Sequence, residues 1–179
     1  MNHSLPPSSA PHLRSQRLEL SPYHEADFPD VLRILTDARV IWWRETPLTE
    51  PEVRVIFDRT IGEQARGLGW WLLREPGGPL LGHAALKPLP NRPEWIEVAY
   101  HLLPEARGQG YATEAARALL AHGFETLNLA EIHAIVLPHN KASQAVMARL
   151  GMPRIGAHTN IGLEHDLFRL KRGEWAATR

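Results

Sequence analysis

The sequence predicts a single mixed α/β domain. Three observations carry that expectation. Segments with helical and with strand periodicity alternate in the order β-α-α-β-β-β-α-β-α-β-β. No repeat or Pro/Gly/Ser-rich linker divides them. The 179 residues also match the size of one ordinary domain. Residues 1–13, MNHSLPPSSAPHL, are rich in Ser and Pro with little to bury and read as a disordered tail, which leaves 14–175 for the domain.

Each element follows from a local pattern. Arg17 to Leu20 alternates as a strand and stops at Ser21-Pro22. Glu25 to Asp37 places Phe28, Val31, Leu32 and Leu35 at helical spacing. After an irregular link holding Trp42-Trp43, a second helix starts near Thr49, with Pro51 in its first turn and Val53, Ile56, Phe57 and Ile61 on one face. Gly69–Arg74 and Leu80–Leu86 are apolar runs flanking Glu75-Pro76-Gly77-Gly78-Pro79, a hairpin turn. Pro88, Pro90 and Pro93 punctuate a loop before a third strand, Trp95–Leu103. That strand sets Ile96, Val98 and Tyr100 on one face and Glu97, Ala99 and His101 on the other. Tyr111–Leu127 carries a helical apolar stripe, Ile132–Leu137 reads as a strand, Lys141–Leu150 as a helix ended by Gly151 and Pro153, and Leu163–Leu170 as a last strand.

Composition narrows the function. Twenty basic residues balance twenty acidic ones, so the basic excess of a general nucleic-acid or membrane-surface binder is missing. With no cysteine there is no disulfide, thiolate metal site or cysteine nucleophile. No apolar run approaches the ~18 residues of a membrane span. The N-terminal residues lack the charged and apolar regions of a secretory signal. A soluble cytoplasmic protein is expected. The scattered histidines, among them His133, His139, His158 and His165, fit no metal-ligand spacing, so no metal is expected.

The informative stretch is Pro104-Glu105-Ala106-Arg107-Gly108-Gln109-Gly110-Tyr111-Ala112-Thr113-Glu114-Ala115, between a strand and the longest helix. Glycines let the backbone turn sharply and come close to a ligand. The first N–H groups of a helix lack intrahelical acceptors and sit at the positive end of its dipole, so the turn suits a phosphate or pyrophosphate. Glycines merely turning the chain into a helix would look the same at this level. A Walker A loop would need Gly-Lys-Ser/Thr, and no Lys follows these glycines. A dinucleotide-binding fingerprint would need Gly or Ala where Thr113 stands, and an acid ending the next strand, whereas Glu131 precedes it. Arg107, Gly110 and Ala112 satisfy a third pattern, Arg/Gln-x-x-Gly-x-Gly/Ala.

The run IEVAYHLLPEARGQGYATEAARALLAHGFE, followed by LPHNKASQAVMARLGM, resembles the core of the GNAT superfamily of acetyl-CoA-dependent N-acetyltransferases. More narrowly, it is similar to the branch holding the ribosomal-protein N-terminal acetyltransferases. The matching positions are Glu97, Ala99, Tyr100, Pro104, the Arg107–Ala115 string, Asn140, Ser143 and Leu150-Gly151. The likeness in element order spans residues 15–172 and its specific part 95–152. It implies a mostly antiparallel central sheet with one splayed parallel strand pair, flanked by about four helices. Acetyl-CoA would lie between Trp95–Leu103 and Ile132–Leu137. Its pyrophosphate would rest on Arg107, Gly108, Gln109, Gly110, Tyr111, Ala112 and Thr113, and its pantetheine would pair near Tyr100, His101 and Leu102. A bulge in the first strand would aim an amide at the thioester carbonyl.

The likeness also implies site roles. Glu97 is the candidate base, against the simpler reading of a salt-bridged strand residue. Asn140 suits a helix N-cap that also touches CoA. Ser143 would bond the leaving thiol, although a small polar first-turn residue is the plain alternative. Many family members carry an acid Tyr seven residues after the Asn; here that position is Met147. Trp42 and Trp43 fall where relatives wall the acceptor site, and could equally anchor their link on the core. The implied activity is direct acetyl transfer, in a ternary complex, to a primary amine such as a protein N-terminus. The alternatives are a small amine (aminoglycoside, polyamine or amino acid) or a non-catalytic acyl-CoA-binding module. The expected assembly is a monomer or homodimer with no nucleic acid or membrane partner.

Overall fold

The structure, a computed structural model, describes residues 10–177. Eight strands form one sheet: β1 (Leu13–Arg14), β2 (Glu19–Pro22), β3 (Gly69–Arg74), β4 (Leu80–Leu89), β5 (Arg92–Leu102), β6 (Glu131–Val136), β7 (Arg154–Asn160) and β8 (Leu163–Lys171). Their order is β1-β2-β3-β4-β5-β6-β8-β7. Every neighbouring pair is antiparallel except β5 and β6. The expected mostly antiparallel sheet with one parallel pair is therefore present.

Helices cover both faces because alternate strand residues are apolar on both sides. Trp70, Leu72 and Ala85 pack with Val31, Ile34 and Leu35 of α1 (Phe28–Thr36) and Val53 and Phe57 of α2 (Glu50–Glu63). Their neighbours Trp71, Leu73, Ala84 and Leu86 point the other way. They join Ala115, Ala116, Leu119 and Leu120 of α3 (Tyr111–Ala121) and Val146, Met147 and Leu150 of α4 (Lys141–Leu150). A fifth, short helix, α5 (Arg172–Ala177), docks through Trp175, whose indole N–H donates to Glu125 Oε1 at 3.1 Å.

Four expectations need correction. Residues 1–9 of the expected tail lie outside the described residues, but 10–13 belong to the fold. Ala10 is buried, the Pro11 carbonyl accepts from Trp71 Nε1 at 2.9 Å, and Leu13 opens β1. Pro88 to Pro93 is mostly strand, because Pro88 pairs with Ile96 and Leu89 with Arg92 across a register shift. Proline removes a donor without forbidding extended backbone, and the shift absorbs the mismatch. The long helix ends at Ala121 in a π turn, His122–Thr126, closed by Leu127 N–H to His122 O at 3.0 Å. The first expected strand is also shifted, β2 running through the Ser21-Pro22 expected to end it, whereas Gly69–Arg74 and Lys141–Leu150 have the expected bounds and Thr49 caps α2, with Glu52 accepting from its N–H at 2.7 Å.

Candidate active site

A V-shaped gap splits the sheet at its parallel pair. β5 and β6 pair only at Glu97 and His133, and beyond that point the strands diverge. The register shows which backbone groups face the gap. Leu103 N–H donates to Leu81 O, and the β4–β5 ladder runs unbroken from Gly82–Leu102 to Pro88–Ile96. In an antiparallel ladder alternate residues turn their N–H and C=O to the same side. Odd-numbered residues of β5 therefore bond to β4, while Val98, Tyr100 and Leu102 direct theirs into the gap. A Cβ on Gly82 would lie 2.2 Å from the His101 carbonyl oxygen, which confirms that His101 is turned toward β4. Of the three residues expected to pair with pantetheine, only Tyr100 and Leu102 can do so, and His101 contributes a side chain instead. The expected bulge is also absent from this part of β5, since the register shift lies at Pro88/Leu89.

The glycine turn lies at one end of the gap. Gly108 and Gly110 adopt φ of 74° and 84°, and Gly110 is the N-cap of α3. The first helical bond is Glu114 N–H to Gly110 O at 3.1 Å, so the amides from Tyr111 to Thr113 lack intrahelical acceptors. Sequence reading missed the residue that braces this turn, Arg17. Its guanidinium donates to Gln109 O at 3.0 Å and to Glu114 at 2.8 Å, and lies 4.6 Å from the centre of the Tyr111 ring. Arg107 does not aim at the turn. It donates to Leu102 O at 3.2 Å and to Arg39 O at 2.6 Å, tying the turn to the link after α1. Gln109 folds back on Glu105 O, and the Tyr111 hydroxyl donates to Glu75 at 2.6 Å, so neither side chain lines the gap.

One cavity of about 1590 Å³ joins this turn to Trp42 and Trp43. That exceeds an ordinary small-molecule site of about 300–1,000 Å³ and suits a long nucleotide thioester with a second reactant. Of the expected site residues, Glu97, Tyr100, His101, Leu102, Arg107, Gly108, Gly110, Ala112, Thr113, Asn140 and Ser143 line it. Asn140 caps α4, its Oδ1 accepting from Ser143 N–H at 3.1 Å. Met147 is buried in the core yet also reaches the cavity. The Tyr100 hydroxyl is buried, and among the described residues no side chain meets it in full hydrogen-bonding geometry. Burial pushes its pKa up to about 12, tempered by the nearby Ser143 side chain.

Glu97 is buried and ion-paired with the buried Lys87, its register partner on β4. Lys87 carried no motif, and only the strand pairing reveals it. Another group, of which only His101 was expected at the site, is a chain of rings. Tyr23 Oη lies 2.5 Å from His83 Nδ1, and His83 Nε2 lies 2.8 Å from His101 Nδ1. Trp70 stacks on His83 at 4.0 Å between ring centres, while Trp43 meets His101 at 5.1 Å. Trp42, 42% exposed, reaches across to His139, 5.3 Å away. Burial holds His83 well below the usual imidazole range. Burial, with help from Lys87 and Arg107, pushes His101 down to about 3. Both rings are neutral at pH 7.

Among the described residues no cluster of three or more His, Asp or Glu could hold a metal ion, and no helix is long and apolar enough to cross a membrane.

Residues 17–153 match the family described as "Acetyltransferase (GNAT) domain". The FsC-acetyl coenzyme A-N(2)-transacetylase of Aspergillus fumigatus is 29% identical over 191 residues, covering 92% of this chain and 78% of that protein. An acetyltransferase from Agrobacterium tumefaciens superposes with a TM-score of 0.77 at 28% identity, covering 95% of this chain and 96% of the other. The ribosomal L7/L12 alpha-N-protein acetyltransferase RimL, solved with coenzyme A, shares the fold at a TM-score of 0.73. It is 19% identical, over 91% of this chain and 97% of its own.

Proposed function

Since this chain belongs to the GNAT family of acetyl-CoA-dependent N-acetyltransferases, we propose that it transfers acetyl directly from acetyl-CoA to the α-amine of an acceptor such as a protein N-terminus. The observation that carries this reading is the single cavity that joins the free amides opening α3, the unzipped edge of β5 and the Trp42–Trp43 wall. A ternary complex needs all three surfaces in one space.

The pyrophosphate sits on the amides of Gly108 to Thr113. Hydrogen bonds to an ionised acceptor contribute roughly 1.5–3 kcal/mol each, against about 0.3–1 for the dipole alone, so convergent amides supply most of the grip. Pantetheine pairs with the gap-facing groups of β5. The Tyr100 N–H, in the middle of that edge, stabilises the oxyanion formed when the amine attacks the thioester carbonyl. The C–S bond then breaks and the thiolate leaves near Ser143.

The nucleophile must be a neutral amine. An α-amine titrates near 7.7–8 and a lysine amine near 10.4, so an N-terminus needs far less help from a base. Lys87 and Arg107 also disfavour a protonated amine beside them. Glu97 accepts the amine proton, directly or through a water, and Lys87 fixes its carboxylate in place. A small amine is the second reading, supported by the likeness to a transacetylase that acts at an N(2) position.

The test is free-thiol release from acetyl-CoA across a panel of peptides with free or blocked N-termini and small amines. Thiol release that requires a free α-amine is expected. Coenzyme A binding without thiol release from any amine would reduce the protein to a binding module.

A further inference from the structure

Beside the main cavity, at Trp43, lies a second pocket of about 170 Å³. It shares Trp43, Trp70, Lys87 and His101 with the main cavity. Apolar side chains of α1, α2 and the link between them form its walls. Arg44, Arg59 and Lys87 also line it, and no acidic side chain does. We infer that this pocket receives a carboxylate carried by the acceptor close to its amine, so the preferred substrate is an acidic amino acid or a peptide whose first side chain is acidic. The inference rests on the acetyl-transfer reading above and narrows its substrate class.

Two independent features support it. The first is charge. Lys87 already bonds Glu97, and Arg44 reaches Glu52 at 3.5 Å. Glu63, one helical turn beyond Arg59, feels both Arg59 and Lys87 but does not line the pocket. Lys87 and Arg44 are thus paired with carboxylates that do not line this pocket, while Arg59 makes no ion pair among the described residues, so the wall is cationic without an acid of its own and a polycationic acceptor would meet it unfavourably.

The second is the polarity of the ring chain. Among the described residues, the Tyr23 hydroxyl, fully buried, has His83 as its hydrogen-bond partner, so a neutral Tyr23 donates its proton to His83 Nδ1. His83 then carries its one proton on Nε2 and donates to His101 Nδ1. His101 in turn carries its proton on Nε2, the edge that is not bonded to the chain. Among the described residues no hydrogen bond engages His101 Nε2, and the ring lines both pockets. A neutral N–H donor beside cations recognises a carboxylate oxygen and offers nothing to an ammonium.

Matched acceptors test this: free glutamate against glutamine, peptides starting Glu-Ala against Gln-Ala, and spermidine. The acidic member of each pair is expected to have kcat/KM about tenfold higher, the discrimination of a charge-assisted hydrogen bond partly screened by solvent. The free and peptide pairs distinguish a metabolite acceptor from a polypeptide one. Arg59 is exposed on α2, so Arg59→Gln should fold normally and should reduce the acidic preference to within about threefold, while Arg59→Lys should retain most of it. Equal turnover of the amide acceptors, or faster turnover of spermidine, overturns the inference and leaves acetyl transfer standing. Absence of thiol release from every acceptor overturns both.

Discussion

The two halves of the cavity are built by different means. On the side proposed for the coenzyme the chain presents backbone: amides at the mouth of α3 and the freed edge of β5. On the side proposed for the acceptor it presents side chains, Trp43, His101, Lys87 and Glu97, delivered by the link after α1 and by two different strands. Backbone recognition depends on local conformation and tolerates many sequences around a few glycines. Side-chain recognition depends on which residues the sheet register sets opposite one another. The coenzyme half is therefore a general device and the acceptor half a particular one.

The sharpest way to break that contrast is at Gly110. Its φ of 84° disfavours any side chain, and a Cβ would lie 3.4 Å from Arg17 Nη2. Gly110→Asp also brings negative charge to the proposed pyrophosphate site. Loss of two or more amide contacts predicts an affinity drop of about a thousandfold by calorimetry. Unchanged affinity would place the coenzyme elsewhere.

Glu97→Gln tests the other half. A lost proton acceptor predicts a fall of about a hundredfold in kcat, with coenzyme A affinity unchanged. The same variant leaves Lys87 buried without its partner, so a lower urea midpoint should accompany it. Full activity at neutral pH would leave Glu97 as a structural ion pair and nothing more.

The ring chain makes the acceptor half sensitive to acid. An unfolded histidine titrates near 6.5. Folded His101 does so near 3, and His83 is also held well below its usual range. As pH falls below about 6.5 the unfolded chain takes up protons that the folded chain refuses. The stability associated with His101 is complete above that pH and declines toward pH 3, by at most about 1.4 kcal/mol per pH unit, and His83 acts in the same direction. His101→Gln should remove one proton's worth of that slope in urea titrations between pH 7 and 5. An unaltered slope would show that the ring is not held neutral.

The smallest expected effect is at Asn140→Ala, which removes the α4 cap and should cost about 1 kcal/mol in stability. A larger loss in coenzyme affinity than in stability would mark Asn140 as a ligand as well as a cap.

Legibility in the sequence followed the same division. The turn from Arg107 to Ala112, the Asn140 cap and the order of elements could be read directly because glycine, capping residues and periodicity encode conformation within a few neighbours. Even there, the direction of a side chain escaped: Arg107 proved to bind two carbonyls, and Arg17, 92 residues from the Gln109 carbonyl it holds, proved to brace the loop. Glu97 was visible as a polar residue on one strand face. Its pairing with Lys87 depended on a hairpin register hidden by three prolines.

By itself the sequence determined the alternation of helices and strands, the glycine turn that opens α3 and the family to which they point, since these are short-range consequences of backbone preference and apolar spacing. The tertiary structure alone decided that Tyr23, His83 and His101 form one hydrogen-bonded chain, that Lys87 meets Glu97, and that cations gather at the pocket beside Trp43. Those meetings join residues distant along the chain, and packing of the two sheet faces settles them rather than any local pattern.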